Sequence, residues 1–153
     1  MTGRALVIFL AAGSVACVSS GPRPLRPAAE EVVDASARLA WTAALQAVTD
    51  QGLPIRLSDP ENRTIETDLV DVAEYRQEAM QYPYAERIVR FRILVTVDSE
   101  SDDARVLFFG MYSPFQTGLS NARRNEREIP RDHPAMRLIR DMASQVRKTI
   151  EGG

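Results

Sequence analysis

The sequence predicts an α+β domain in which two helices pack on one face of a four-stranded antiparallel sheet, in the order α-β-β-β-β-α. Three observations lead to this fold class. Residues 87–97 alternate between apolar and polar side chains, as a strand with one buried face does. Residues 105–112 form a second, largely apolar run that can return as its partner strand. Apolar residues recur at helical spacing near both ends of residues 30–153, so a two-layer arrangement is the simplest one.

The first helix is predicted over residues 33–48, where apolar side chains recur every three or four positions. Glu30 and Glu31 come just before it and suit a first helical turn, because the helix dipole favours negative charge there. Gly52 follows the helix at the position of a C-terminal cap. Core packing is the more common role for a tryptophan on such a stripe, so we expect Trp41 to occupy the buried face rather than to stack on a ligand.

Four strands are predicted between the two helices. The first two are residues 53–57 and 63–69, which a polar turn separates, and Pro54 confines the first of them to an edge of the sheet. The last two are residues 87–97 and 105–112, which form a hairpin joined by the acidic residues 98–103. That acidic run lacks the glycine and the distal glutamate of an EF-hand loop, so we expect a solvated hairpin tip rather than a calcium site.

The last helix is predicted to begin near Asp132, which can cap it, with Pro134 in its first turn. The only histidine, His133, lies between them, and we expect it to cap the helix end or to be exposed. The buried stripe of this helix is predicted to consist of Ala135, Ile139, Met142, Val146 and Ile150.

Two segments between the regular elements are candidates for partner contact. A helical turn is predicted around residues 74–80, and residues 113–131 are predicted to form a long surface loop, a kind of segment that is often functional. Arginine and tyrosine are common interface residues, although a solvated surface is the alternative for a loop of mixed charge. The candidate contact residues are Arg123, Arg124 and Arg127 in the loop, together with the tyrosine cluster Tyr75, Tyr82 and Tyr84.

The N-terminus has the pattern of an export signal. Arg4 is followed by a short apolar run over residues 5–12, and small residues precede the only cysteine, Cys17. A basic start, a short apolar stretch and a small-residue cleavage site are typical of a secretory signal peptide, here residues 1–16. The stretch is too short for a membrane-spanning helix, which needs about 20 apolar residues. The segment Ser14-Val15-Ala16-Cys17 resembles the lipobox of bacterial lipoproteins.

This resemblance implies that Cys17 receives diacylglycerol on its sulfur, becomes the new N-terminus and gains an amide-linked fatty acyl chain such as palmitate. Val18 follows it in place of an acidic residue, and by the same resemblance the outer membrane is favoured, with the domain facing the periplasm. Ser14 departs from the branched aliphatic residue that is usual at that position, so an ordinary signal peptide cut near Ala16 stays open as the alternative. Residues 17–29 then form a lipidated, proline-rich tether, and residues 30–153 form a single domain.

Composition narrows the chemistry that this domain can carry. The formal net charge is −2, which argues against a nucleic-acid binder. With Cys17 acylated no thiol remains, and one histidine makes a zinc site improbable, so we expect no metal and no cofactor. No serine lies in a nucleophile elbow and no glycine-rich phosphate loop is present, so we expect no enzymatic activity.

The leading hypothesis is a lipid-anchored, non-enzymatic envelope protein that acts through protein contacts, as a scaffold or assembly accessory. The helix with Trp41, the glycine turn and the segment from Ile55 to Thr67 resemble small envelope lipoproteins, most loosely the lipoprotein subunit of the outer-membrane β-barrel assembly machine. A hydrolase would need two carboxylates converging in a cleft. The main alternative is a carrier that holds a lipid or small apolar ligand between sheet and helices, in a cavity lined by residues such as Phe91, Ile93, Phe108 and Met142.

Overall fold

A computed structural model describes residues 24–97, 101–112 and 126–152 of the chain. The α+β class and the antiparallel sheet are confirmed. The number of strands and the element order were predicted wrongly, because the described residues form seven strands and begin with a strand rather than a helix. In chain order the elements are β1 (Ala29–Val33), α1 (Ala37–Asp50), β2 (Ile55–Asp59), β3 (Thr64–Thr67), β4 (Val70–Asp71), two 3₁₀ turns (Val72–Glu74 and Gln77–Gln81), α2 (Tyr84–Arg87), β5 (Ile88–Val97), β6 (Ala104–Tyr112), β7 (Arg127–Glu128) and α3 (Ala135–Glu151).

The sheet is built around the long hairpin of β5 and β6. These strands pair from Val89 opposite Tyr112 to Val97 opposite Ala104. The strand order is β1-β6-β5-β3-β2, while the short strands β4 and β7 extend the pairing of β5 and β6 respectively. Both central strands come from the hairpin that the alternating pattern predicted, and β1 and β2 lie at opposite edges.

Strand β1 replaces the predicted first helical turn. Glu31 and Val33 are buried while Glu30 and Val32 are exposed, which is the alternation of a strand at a sheet edge. The strand is held by β6, with Ala29 opposite Phe108. Contacts with the sheet extend N-terminal of this strand, because the backbone N–H groups of residues 26 and 28 donate 2.7 Å hydrogen bonds to Glu128 and to Phe108.

Helix α1 begins at Ala37, where the Ser36 hydroxyl accepts a hydrogen bond of 3.3 Å from the backbone N–H of Leu39. Its end confirms the predicted role of Gly52, which adopts φ +67°. The N–H of Gly52 donates to the carbonyl of Thr49, and the N–H of Leu53 donates to that of Val48. This is a Schellman motif, which requires the left-handed conformation that glycine adopts without strain.

The buried face of α1 consists of small side chains rather than of tryptophan. Ala40, Ala43, Ala44 and Ala47 are buried, which lets α1 approach its neighbours closely. Trp41 is only partly buried and packs against the margin of this core, so the prediction of a tryptophan anchor was wrong. The predicted stripe of α3 is confirmed, although its last member, Ile150, is only half-buried; the buried members are Ala135, Ile139, Met142 and Val146.

The segment between β4 and β5 contains two 3₁₀ turns and the short helix α2, where a single helical turn was predicted. Arg76 forms an ion pair with Asp141, and the Tyr75 hydroxyl donates a 3.4 Å hydrogen bond to the carbonyl of Gly52. These contacts hold the segment against the middle of α3 and the C-terminal end of α1. Within the part of the chain that the structure describes, no helix is both long enough and apolar enough to cross a membrane.

Candidate functional site

The two faces of the sheet are covered very differently. Both long helices pack on the face that carries Phe91, Ile93 and Phe108, which are buried in one continuous core. The alternate positions of the same strands point to the other side. We call that side the uncovered face, because no helix of the described residues packs over it. Its apolar members, which lie outside the buried core, are Val32, Leu57, Leu94, Leu107 and Phe109.

The centre of the uncovered face is apolar. Leu94 lies directly opposite Leu107, and Phe109 lies opposite Arg92, one step along the hairpin. All four are partly exposed, so this strip is in contact with solvent. Towards one edge Val32 is 49% exposed. An exposed apolar strip of this kind on a folded domain is typical of a contact surface.

Ion pairs surround this apolar strip. Glu66 is buried and accepts from Arg92 at 2.6 Å, and it also forms an ion pair with Arg56 of the neighbouring strand β2. At the opposite edge Glu30 lies 3.2 Å from Arg105. The strip is therefore bordered by partly exposed arginines, and arginines beside apolar side chains are enriched at protein interfaces.

The uncovered face ends where β7 begins. There Arg90 and Met111 are buried although their strand positions point to the same side as Leu94 and Leu107. Arg90 forms an ion pair with Glu126, just before β7. The apolar strip therefore occupies the middle of the sheet and the end nearer the β5–β6 turn.

The residues predicted from sequence fall partly outside the described residues. Cys17, Arg123 and Arg124 do so, and with them the signal peptide and most of the predicted loop. Arg127 is described: it is exposed and lies in β7 opposite Tyr112. The predicted loop over residues 113–131 therefore contains a short strand. The tyrosine cluster is not one surface, because Tyr75 and Tyr82 are partly buried and bonded to backbone carbonyls, whereas Tyr84 is exposed.

A second candidate surface lies where the described chain begins. A cleft of about 400 Å³ opens between residues 26–28, β7 and the start of α3. Its polar lining contains Arg26, Arg131 and Arg140, and none of the three side chains forms an ion pair with another described residue. Glu128 is the single carboxylate of the lining, and it accepts the Arg26 backbone N–H. We call this the basic cleft; its charge balance favours an anionic ligand.

His133 was predicted either to cap the start of α3 or to be exposed, and the structure shows the first: the side chain is buried against the helix end. It is 2% exposed; Nδ1 accepts a 3.1 Å hydrogen bond from the backbone N–H of Ala135, and Nε2 lies 3.0 Å from the carbonyl of Glu86. The neutral ring with its proton on Nε2 satisfies both contacts. Burial lowers the pKa of His133. His133 thus caps α3 in place of Asp132, and both ring nitrogens are engaged by backbone groups.

The remaining candidate chemistry is sparse. Phe91, Ile93, Phe108 and Met142, the side chains expected to line a ligand cavity, are each at most 1% exposed within the core. Among the residues that the structure describes, no three histidine, cysteine or acidic side chains are grouped closely enough to hold a metal ion. No protein-family model matches the chain, and no curated protein is significantly similar to it.

Proposed function

We propose that this chain is a bacterial lipoprotein, anchored by acylated Cys17, that works in the cell envelope through non-enzymatic protein contacts. The outer membrane is the favoured location, because Val18 follows the cysteine where an acidic residue would favour inner-membrane retention. The observation that carries the contact role is the uncovered face. In the described part of the chain the helices pack on one side of the sheet, and Leu94, Leu107 and Phe109 on the other side stay partly exposed.

The uncovered face has the composition of a protein-binding surface. It combines a phenylalanine and leucines with arginines, whereas lysine is absent from the strands that form it. The edge strand β2 adds a second mode of contact, because its only partner among the described strands is β3. A partner strand can pair along such a free edge, and the exposed Leu57 would then lie beside it.

Two alternative functions have less support. A carrier needs space between sheet and helices, but Phe91 and Phe108 are packed in a continuous core at that place. A general acid–base enzyme needs a titratable group with a free atom facing a cleft, but both ring nitrogens of His133 are bonded to backbone groups. We therefore favour a scaffold or assembly accessory.

The contact role can be tested by site-specific photo-crosslinking in membranes of the native host. A photoreactive residue is placed at Leu107 on the uncovered face and, as the matched control, at Leu39 on the outer surface of α1, which is 50% exposed. We expect a discrete adduct with an envelope protein from position 107 and none from position 39. The same adducts from both positions, or none from position 107, would contradict the proposal.

The anchor is tested independently by the intact mass of the N-terminal peptide. We expect Cys17 at the N-terminus with the added mass of diacylglycerol and an acyl chain, and loss of that mass in the Cys17→Ser variant. An unmodified Cys17, or a cut elsewhere, would contradict the lipoprotein assignment and leave a secreted domain. In that case the crosslinking result would still report on the uncovered face.

A further inference from the structure

The place where the tether joins the domain determines which side can face the membrane. Among the described residues, Arg26 is the first that is hydrogen-bonded to the rest of the domain, through its backbone N–H and Glu128 at 2.7 Å. Nine residue steps separate it from Cys17 (26 minus 17), which span at most about 30 Å when fully extended. A domain of this size is roughly 35–40 Å across. An anchored chain therefore keeps the side that begins at Arg26 close to the bilayer.

The basic cleft is located at that side. Arg26, Arg131 and Arg140 line it together, although they come from the start of the described chain, the turn between β7 and α3, and α3 itself. Three arginines and one glutamate line the cleft, and the Glu128 carboxylate already accepts the Arg26 backbone N–H. An arginine fork binds phosphate oxygens in two places at once, so this lining suits a phosphodiester.

We propose that the basic cleft binds the anionic phospholipid surface of the membrane to which Cys17 is attached, and so fixes the orientation of the domain. The inference rests on the proposed lipid anchor, because the anchor is what brings the cleft to the bilayer. The acyl chains already supply the affinity for the membrane. The cleft therefore sets how the domain is oriented on the membrane, rather than whether the protein is attached to it. A fixed orientation would keep the opposite sheet edge, β2, directed away from the lipid and open to partners.

The test uses the full-length protein as isolated from membranes of its host, reconstituted in vesicles of phosphatidylcholine alone or mixed with phosphatidylglycerol. With Cys17 acylated, an introduced cysteine is the only free thiol and can be labelled with a fluorophore. The cysteine is introduced at Ser144, one turn beyond Arg140 on α3, so that the label reports on the side of the basic cleft. The matched control carries it at Ser58 on β2. The two sheet edges are about 19 Å apart, from four strand spacings.

We expect a quencher placed in the lipid headgroups to quench the label at position 144 more strongly when phosphatidylglycerol is present, with little change at position 58. One arginine near an anionic surface changes the equilibrium between membrane-facing and other orientations by about five-fold. In the double variant Arg131→Gln/Arg140→Gln, the quenching at position 144 should therefore no longer depend on phosphatidylglycerol. High salt should abolish it as well. Arg38→Gln, an exposed arginine of α1, controls for the loss of charge, and unchanged thermal unfolding shows that the variants fold.

The outcomes separate the inference from the anchor proposal. Flotation of the vesicles in a density gradient shows whether the protein is bound to them. If the protein floats with both kinds of vesicle but positions 144 and 58 are quenched alike, the anchor proposal holds and the orientation inference is overturned. If it floats only with vesicles that contain phosphatidylglycerol, and the double variant does not float, the cleft binds anionic lipid and the anchor proposal fails. If it floats with neither, both are wrong.

Discussion

Phe108 and Phe109 are neighbours in strand β6, yet they belong to two different environments. Phe108 lies between the sheet and the helices and is 1% exposed, whereas Phe109 lies on the uncovered face and stays partly exposed. The covered face is apolar in nearly every position of β5 and β6, while the uncovered face mixes leucines and arginines. One face thus holds the fold together, whereas the side chains of the other stay in contact with solvent.

The largest expected effect is the difference between alanine substitutions at these two neighbours. Phe108→Ala should lower the free energy of unfolding by about 3–5 kcal/mol, because it leaves a cavity in a packed core. Phe109→Ala should lower it by about 1 kcal/mol or less, because a partly exposed ring loses few contacts. Chemical denaturation of both variants measures the difference. Equal losses would mean that the second face is as well covered as the first.

The next effect concerns how tightly the covered face is packed at Gly110. A Cβ added there would come within 2.8 Å of Ile129 Cγ1 and 3.0 Å of Ile139 Cδ1, and closer still to Ile129 Cδ1. Gly110→Ala should therefore destabilise the domain by about 1–3 kcal/mol. Ile129→Val removes the closest atom, so the double variant should be more stable than the sum of the two single effects predicts. Strict additivity in a double-mutant cycle would contradict this packing.

The smallest expected effect is a pH dependence of the free energy of unfolding, which originates at His133 on the helix side of the domain. Burial lowers the pKa of His133 below its ordinary value near 6.5, so the folded state favours the neutral ring. The stability that this ring contributes is complete above pH 6.5 and falls as the pH is lowered towards the folded-state pKa. We expect the free energy of unfolding to decline from pH 7.5 to about pH 5.5.

His133 is the only histidine in the chain, so His133→Gln should flatten this pH dependence. Phe109→Ala, on the uncovered face, is the matched control and should leave the slope unchanged. An unchanged slope in His133→Gln would show that other groups cause the decline. A rise in stability towards low pH would contradict the neutral, doubly bonded ring.

The parts of the fold that could be predicted are those in which apolar residues recur at a regular spacing. The hairpin followed from alternation in residues 87–97, and α3 followed from its apolar stripe. Strand β1 could not be predicted, because Glu30 and Glu31 next to a helical pattern resemble a first turn as well as they do an edge strand. The strand is decided by its pairing with β6, more than seventy positions later, which no local pattern encodes.

The candidate surfaces were predictable to different degrees. Of the arginines at alternate positions of β5, Arg92 did indicate a wetter second face, whereas Arg90 is buried beside Glu126. The basic cleft was missed because Arg26 and Arg140 become neighbours only once β1 and α3 lie at the same edge of the sheet. His133 was placed correctly at a helix start, but its burial depends on the carbonyl of Glu86, which arrives from a different segment.

The position of β1 also sets a limit on when the domain can be completed. The ribosome makes residues 29–33 before any other strand, yet their partner residues 104–108 come only after most of the chain. The hairpin of β5 and β6 and the adjoining β2–β3 hairpin can form from local contacts in the meantime. Strand β1 can pair only once β6 has been made, and until it does, residues 104–108 at the β6 edge are free to pair with another chain. The stretch most exposed to mispairing during folding is thus the edge that β1 closes.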